Sequence, residues 1–447
     1  MNEMDLTQGK IGKALLQFSI PFLLASLLQA FYGAVDLFVV GQFSSSSGVS
    51  AVATGSQVMQ TLTGVILGIS TGSTILIGQY LGAKKQAQIA QTIGTAICIF
   101  TIFAFCFTVI MTLLTPTLAN VMHTPAEAME ETKQYIFICS LGIPFIIGYN
   151  AVSGVFRGLG DSKTPLVLVA IACAINVMGD LILVAVFHMG AAGAAVATSV
   201  SQGVSFLLAV IYLKKRGFSF PFSRKNIKLD TKKAKQIFTL GLPIALQDGL
   251  VNISFLMITA IINTMGLTAS ASVGVVEKII VFAMLPSQAF ASAVAVMTAQ
   301  NMGANKPQRA KKGLYTAISM ALVFGVSFFL YAQIDSSQFV SLFTKDSAVM
   351  EMSQLYLKSY SWDCILICFL FSLNSFFSGC GRSLFAMIHS LIATFLVRIP
   401  GSYFLSRMEE ATLYEIGFAA PMATILSLII CFIYFKKGVW QKMTVSS

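Results

Sequence analysis

Apolar residues run nearly unbroken through twelve stretches of this chain, separated by short polar breaks. A helix that spans a bilayer needs about 20 mostly apolar residues. The stretches at roughly 15–41, 51–78, 90–115, 134–156, 163–187, 191–213, 236–263, 271–300, 313–334, 353–379, 384–405 and 412–435 all qualify. Turn-forming residues punctuate them: Ser44 to Gly48, Gly82 to Lys85, Pro125, Gly158 to Ser162, Gly190, and Gly303 to Pro307. The first run follows Lys10 and Lys13, starts at Ala14 and reaches about Val40. That is too long for the apolar core of a signal peptide, so it reads as the first membrane span.

Composition agrees with this pattern. Of 447 residues, 56% are hydrophobic and only 11% charged. Soluble domains carry about 25% charged residues, and disorder needs more charge and less apolar surface. Both a water-soluble globular enzyme and a disordered chain are therefore excluded, and the class is an all-α integral membrane protein. A formal charge of +11 would suggest nucleic acid in a soluble chain. Here it reads as basic cytoplasmic loops facing anionic lipid. With the N-terminus inside, 23 Lys and Arg residues fall on the cytoplasmic side and four outside, namely Lys133, Lys345, Lys358 and Arg407. The outer loops carry acids instead, among them Glu127, Glu130, Glu131, Asp335, Asp346, Glu351, Glu409, Glu410 and Glu415. This asymmetry places both termini in the cytoplasm. Of the eight cysteines, seven fall in spans and Cys380 in a short loop. They read as reduced, small hydrophobes rather than a disulfide framework or a zinc site.

The basic segment 214–235, which holds Lys214 to Arg216 and ends near Lys232, Lys233 and Lys235, splits the spans six and six. The expected division is therefore 1–213, a linker at 214–235, and 236–447. The halves echo each other at one offset. Gln79-Tyr-Leu-Gly-Ala-Lys-Lys85 resembles Gln300-Asn-Met-Gly-Ala-Asn-Lys306, an offset of 221 (300 − 79). Thr95-Ala96-Ile97 matches Thr316-Ala317-Ile318, and Gly158-x-Gly160-x-Ser162 matches Gly379-x-Gly381-x-Ser383, at the same offset. Two pseudo-symmetric six-helix bundles follow, an architecture suited to rocking about a central cavity.

Charges inside spans are costly, about 2.5–3.5 kcal/mol each at a helix centre, so each asks for a role. Asp36 lies about five residues from the outer end of span 1, Asp180 about seven from that of span 5, and Thr198 about seven into span 6. At 1.5 Å per residue all three lie within about 10 Å of the outer boundary. Asn176 precedes Asp180 by one turn and shares its face. Two carboxylates, an amide and a hydroxyl at one level form an all-oxygen set suited to Na⁺. Two close carboxylates also favour holding one proton. The second half mixes signs, with Asp248 in span 7, Glu277 and Lys278 in span 8, Asp363 in span 10 and Arg398 in span 11. These read either as neutralised ion pairs or as a substrate-facing or second coupling site. An unpaired guanidinium in a membrane is expensive, so Arg398 is expected to pair with Asp363 or Glu277. Pro21 lies fifteen residues before Asp36 and is a candidate hinge as well as a static kink.

Pro21 followed by Asp36-Leu-Phe-Val-Val-Gly41, Gln79-Tyr-Leu-Gly-Ala83, Phe156-Arg-Gly-Leu-Gly-Asp-Ser-Lys-Thr-Pro165 and Ala299-Gln-Asn-Met-Gly-Ala304 together resemble the multidrug and toxic compound extrusion (MATE) transporters. The resemblance covers nearly the whole chain. It implies antiport of organic, often cationic compounds out of the cell in exchange for Na⁺ or H⁺, with no cofactor. It also implies that Asp36, Asn176, Asp180 and Thr198 bind the coupling ion. A flippase for lipid-linked precursors in the same superfamily is the rival reading, but it would need several cavity Lys and Arg. Metalloprotease, nucleotide-binding and Asp-rich diphosphate motifs are absent, and His123, His188 and His389 are scattered, which argues against an enzyme. The expected partners are a small-molecule substrate and the lipid bilayer of the cell membrane, without nucleic acid, and the expected state is a monomer.

Overall fold

A computed structural model of the chain describes residues 4–408 and 411–441. Glu409, Glu410 and Lys442, which enter the charge asymmetry above, lie outside the described residues. The described residues form helices and no strands. Twelve helices are long and apolar enough to cross a membrane: α1 Ile11–Phe43, α2 Ser46–Gly82, α3 Gln86–Leu113, α4 Ala126–Gly158, α5 Lys163–Val186, α6 Gly190–Arg216, α7 Thr231–Asn263, α8 Leu267–Gly303, α9 Pro307–Ile334, α10 Ser347–Gly379, α11 Ser383–Leu405 and α12 Leu413–Lys436. Most overrun the apolar stretches by a few residues, because a helix continues into its polar ends until a cap or turn stops it. At α10, for example, the Asp346 side chain accepts from the amides of Ala348 and Val349.

The internal repeat is present in the backbone. Lys84 and Asn305 close α2 and α8 in left-handed conformation at φ 57° and 56°, and Gly160 and Gly381 do so after α4 and α10 at 86° and 83°. Close packing repeats too. A Cβ on Gly158 would come within 2.8 Å of the Thr74 carbonyl oxygen and 3.0 Å of Ile77. On Gly379 it would come within 2.7 Å of the Ala295 carbonyl oxygen and 2.8 Å of Thr298. All five pairs lie 221 apart, so the same helix crossing is built twice.

The chain divides into two compact units. One holds Met4, Asp5 and Ile20–Ala245; the other holds Leu6–Ser19 and the chain from Leu246 onward. Beyond Leu6, the changes of unit thus fall inside α1 and α7 rather than at the ends of the basic linker, each within three residues of an in-helix proline, Pro21 or Pro243. In the first unit the start of α7 lies against α2, where Gly68 and Gly72 leave no room for a Cβ beside Ala245 and Ile237. The linker is docked there as well. A Cβ on Gly94 would lie 1.9 Å from the Asn226 carbonyl oxygen. The Thr95 hydroxyl donates to the Lys228 carbonyl at 3.3 Å, and buried Lys233 donates to the Tyr80 hydroxyl at 2.5 Å. In the second unit the segment before α1 does the corresponding job. Buried Leu6 donates its amide to Gln300 Oε1 at 3.0 Å, and its carbonyl accepts from Asn301 and Arg309. Leu6 and Ile227 are again 221 apart.

Candidate functional site

Three helices of the first unit converge on the predicted constellation. Asp36 comes from α1, Asn176 and Asp180 from α5, and Thr198 from α6. Asn176 and Asp180 are fully buried and Asp36 is 5% exposed. Gly179 brings α6 close, since a Cβ there would come within 2.9 Å of the Ala197 Cβ. That approach delivers the next residue, Thr198, to the site. Asp180 is the last α-helical residue before a π-helical stretch, Leu181–Val186, a local widening that recurs at functional sites.

Hydrogen bonding within the cluster runs in one direction. Asn176 Nδ2 donates to Thr198 Oγ1 at 3.3 Å, and Thr198 Oγ1 donates to Asp36 Oδ2 at 3.3 Å. The Asp36 and Asp180 carboxyls lie within hydrogen-bonding reach of each other, but two carboxylates have no proton to exchange. Asp36 Oδ1, both Asp180 oxygens and Asn176 Oδ1 are therefore buried without a donor. Among the described residues no Lys or Arg bears on either carboxylate. Buried oxygens in this state are rare and call for a partner. A small hard cation ligated by these oxygens satisfies them, and a proton shared between the carboxyls pairs one oxygen of each.

In the second unit the expected ion pairs do not form. Among the described residues the one carboxylate–cation contact within 4.0 Å is Glu130–Lys133, outside this cluster. The Arg398 guanidinium lies over the Phe255 ring at 4.0 Å from its centroid, and Nη2 donates to the Tyr360 hydroxyl at 3.0 Å. Arg398 thus meets a ring and a phenol instead of pairing with Asp363 or Glu277, which corrects the expectation. A cation–π contact and a neutral acceptor offset part of its desolvation. Glu277 and Asp363 lie within its electrostatic field, Glu277 beside the Thr259 hydroxyl and Asp363 beside that of Thr424. Asp248 and Lys278 are exposed on α7 and α8, and no charge of this cluster acts on Asp248.

Comparison with known proteins gives these sites their context. The MatE family model matches the chain twice, over residues 21–182 and 243–404. The chain belongs to the MATE family. Each match starts at an in-helix proline, and together they cover Asp36, Asn176, Asp180 and every second-unit candidate, while Thr198 falls outside. Similar relatives include the probable multidrug resistance proteins YoeA and YpnP of Bacillus subtilis. YoeA is 26% identical, over 98% of this chain and 96% of its own. YpnP is 28% identical, over 99% of both. The fold is shared with a MOP superfamily transporter from Pyrococcus furiosus at a TM-score of 0.93 and 19% identity, covering 99% of both chains. This MATE protein is therefore a multi-pass membrane transporter, not an enzyme.

Two further residues join the MATE protein's first-unit site. Tyr32 and Gln202 meet side chain to side chain, and Tyr32 bears on Asp36. Each lies one helical turn from a predicted residue, 32 from 36 and 202 from 198. The four-residue spacing that links Asn176 to Asp180 would have found them. Neither is ionised at neutral pH, so neither stands out among the costly intramembrane charges.

Proposed function

We propose that this protein exports organic, amphipathic cations across the cytoplasmic membrane in exchange for Na⁺ or H⁺, with Asp36, Asn176, Asp180 and Thr198 as the coupling site. The observation that carries this reading is the set of four buried, donorless oxygens on Asp36, Asn176 and Asp180. The names of the Bacillus relatives, both probable multidrug resistance proteins, support the multidrug class of substrate. The basic asymmetry of the loops supports cytoplasmic termini.

Charge logic supplies the mechanism. Two unit charges 4 Å apart repel by about 4 kcal/mol at an effective dielectric of 20. One cation or proton entering from outside removes that repulsion; a cation also ligates the orphaned oxygens, and a proton pairs one oxygen of each carboxyl. The occupied site tolerates a dry, closely packed environment, and the empty one does not. The part of α1 that carries Asp36 can respond by bending at Pro21, where the missing amide removes the bond to the Gln17 carbonyl. Release of the ion to the cytoplasm resets the site. In proteoliposomes, a cationic dye should leave against its gradient when an inward Na⁺ or pH gradient is imposed. Dye movement that ignores both gradients would overturn the coupling reading.

A further inference from the structure

The second unit contains the parts of a receptor for an organic cation: aromatic surface and carboxylates that are held in no ion pair. The Phe255 face and the Tyr360 hydroxyl are the aromatic part, with the Tyr356 ring 5.8 Å from that of Tyr360. Glu277 and Asp363 supply two negative charges. Asp363 is 5% exposed, and its Oδ1 has no hydrogen-bond partner. Phe255, Glu277 and Arg398 are half-buried, so one side of the cluster is open.

The guanidinium that occupies this cluster behaves as a guest rather than as a strut. A structural arginine near two carboxylates, one buried and one half-buried, would form a forked ion pair with one of them. Arg398 instead stacks on Phe255, spends one amine on Tyr360, and leaves its buried Nε without an acceptor. Its backbone suits displacement. Arg398 ends a π-helical stretch, Thr394–Arg398, two residues before Pro400, whose missing amide removes the bond to the Leu396 carbonyl. We propose that Arg398 is a tethered competitor that fills the organic-cation site of the second unit, so that substrate must displace it from Phe255 and Tyr360. This rests on the export reading only for the cationic class of substrate. It makes Arg398 a specificity-determining residue, because cations with a flat or aromatic face displace it best.

The test is equilibrium binding of tetraphenylphosphonium to the full-length protein in nanodiscs, with no gradient. Arg398→Gln should tighten binding by about ten-fold, the scale of a partly desolvated cation–π contact. Tyr360→Phe frees the guanidinium while keeping the ring and should tighten it by a smaller factor. Phe255→Leu placed in the Arg398→Gln background should erase the gain. Triphenylphosphine oxide, neutral and of similar size, should show no gain. Unchanged, weaker or absent binding by Arg398→Gln overturns the proposal, as does an equal gain for the neutral probe, which would mean only vacated space. Tighter wild-type binding of tetraphenylborate that disappears in Arg398→Gln also overturns it, by making Arg398 an anion ligand. If Arg398→Gln does not fold, Tyr360→Phe decides by the same criteria. Gradient-driven efflux by the wild type is scored separately and bears on the export reading alone.

Discussion

Gly179 of α5 and Ala197 of α6 are so close that a Cβ on the glycine would stand 2.9 Å from that of the alanine. This contact is the mechanical link between Asp180 and Thr198, each of which is the next residue along its helix. Gly179→Val should push α6 outward and lengthen the 3.3 Å contact between Thr198 and Asp36. Overpacking of this kind costs about 1–3 kcal/mol. We expect a lower melting temperature and a marked loss of gradient-driven efflux, with a smaller effect for Gly179→Ala. Wild-type efflux by Gly179→Val would show that Thr198 contributes nothing to coupling.

The docked linker makes a separate prediction. Gly94 of α3 lies beneath the Asn226 carbonyl, and a Cβ there would stand 1.9 Å from its oxygen, so a side chain has no room. Gly94→Val should lift the segment around Asn226 and Lys228 from α3, weakening the Thr95 contacts with Lys228 and Asp230. The readout is limited trypsin digestion of the purified protein. Cleavage at Lys225, Lys228 or Lys232 should become several-fold faster, while α2 to α6 stay protected. Cleavage at the wild-type rate would mean that the linker is held elsewhere, for example by Lys233 on Tyr80.

Much of this was legible in the residues because the bilayer imposes strong constraints. Uninterrupted apolar runs fixed the number and placement of the spans, since no other element satisfies its backbone in lipid. Duplication was legible at Gln79–Lys85 and Gln300–Lys306 because a turn into left-handed conformation keeps its chemistry, as Lys84 and Asn305 do. Depth alone grouped Asp36, Asp180 and Thr198, for helices of fixed rise act as rulers. Illegible was anything set by side-chain direction between helices. Charge bookkeeping paired Arg398 with an acid, because it has no entry for an aromatic face such as Phe255. The changes of unit inside α1 and α7 also escaped, since neither Pro21 nor Pro243 interrupts its helix.

The coupling pair offers the sharpest test. Asp36→Asn and Asp180→Asn each replace a carboxylate by an amide of nearly the same shape, so the fold should survive. What changes is the account of donors and charge. An amide facing the remaining carboxylate can donate to it, and the cluster then holds one negative charge instead of two. The orphaned oxygens gain a permanent internal partner, and an entering ion no longer relieves any repulsion. Both variants should therefore reach wild-type melting temperature or exceed it, while efflux driven by a Na⁺ or pH gradient falls to the level of empty liposomes. Asn176→Ala and Thr198→Ala remove a ligand oxygen or the donor to Asp36 but leave both charges, so they should slow coupled efflux without eliminating it. The measurement is dye efflux from proteoliposomes at matched protein content, under each gradient separately. Retention of gradient-driven efflux by both Asp→Asn variants would move coupling to the second unit, where Asp363 and Asp248 would be the next residues to neutralise.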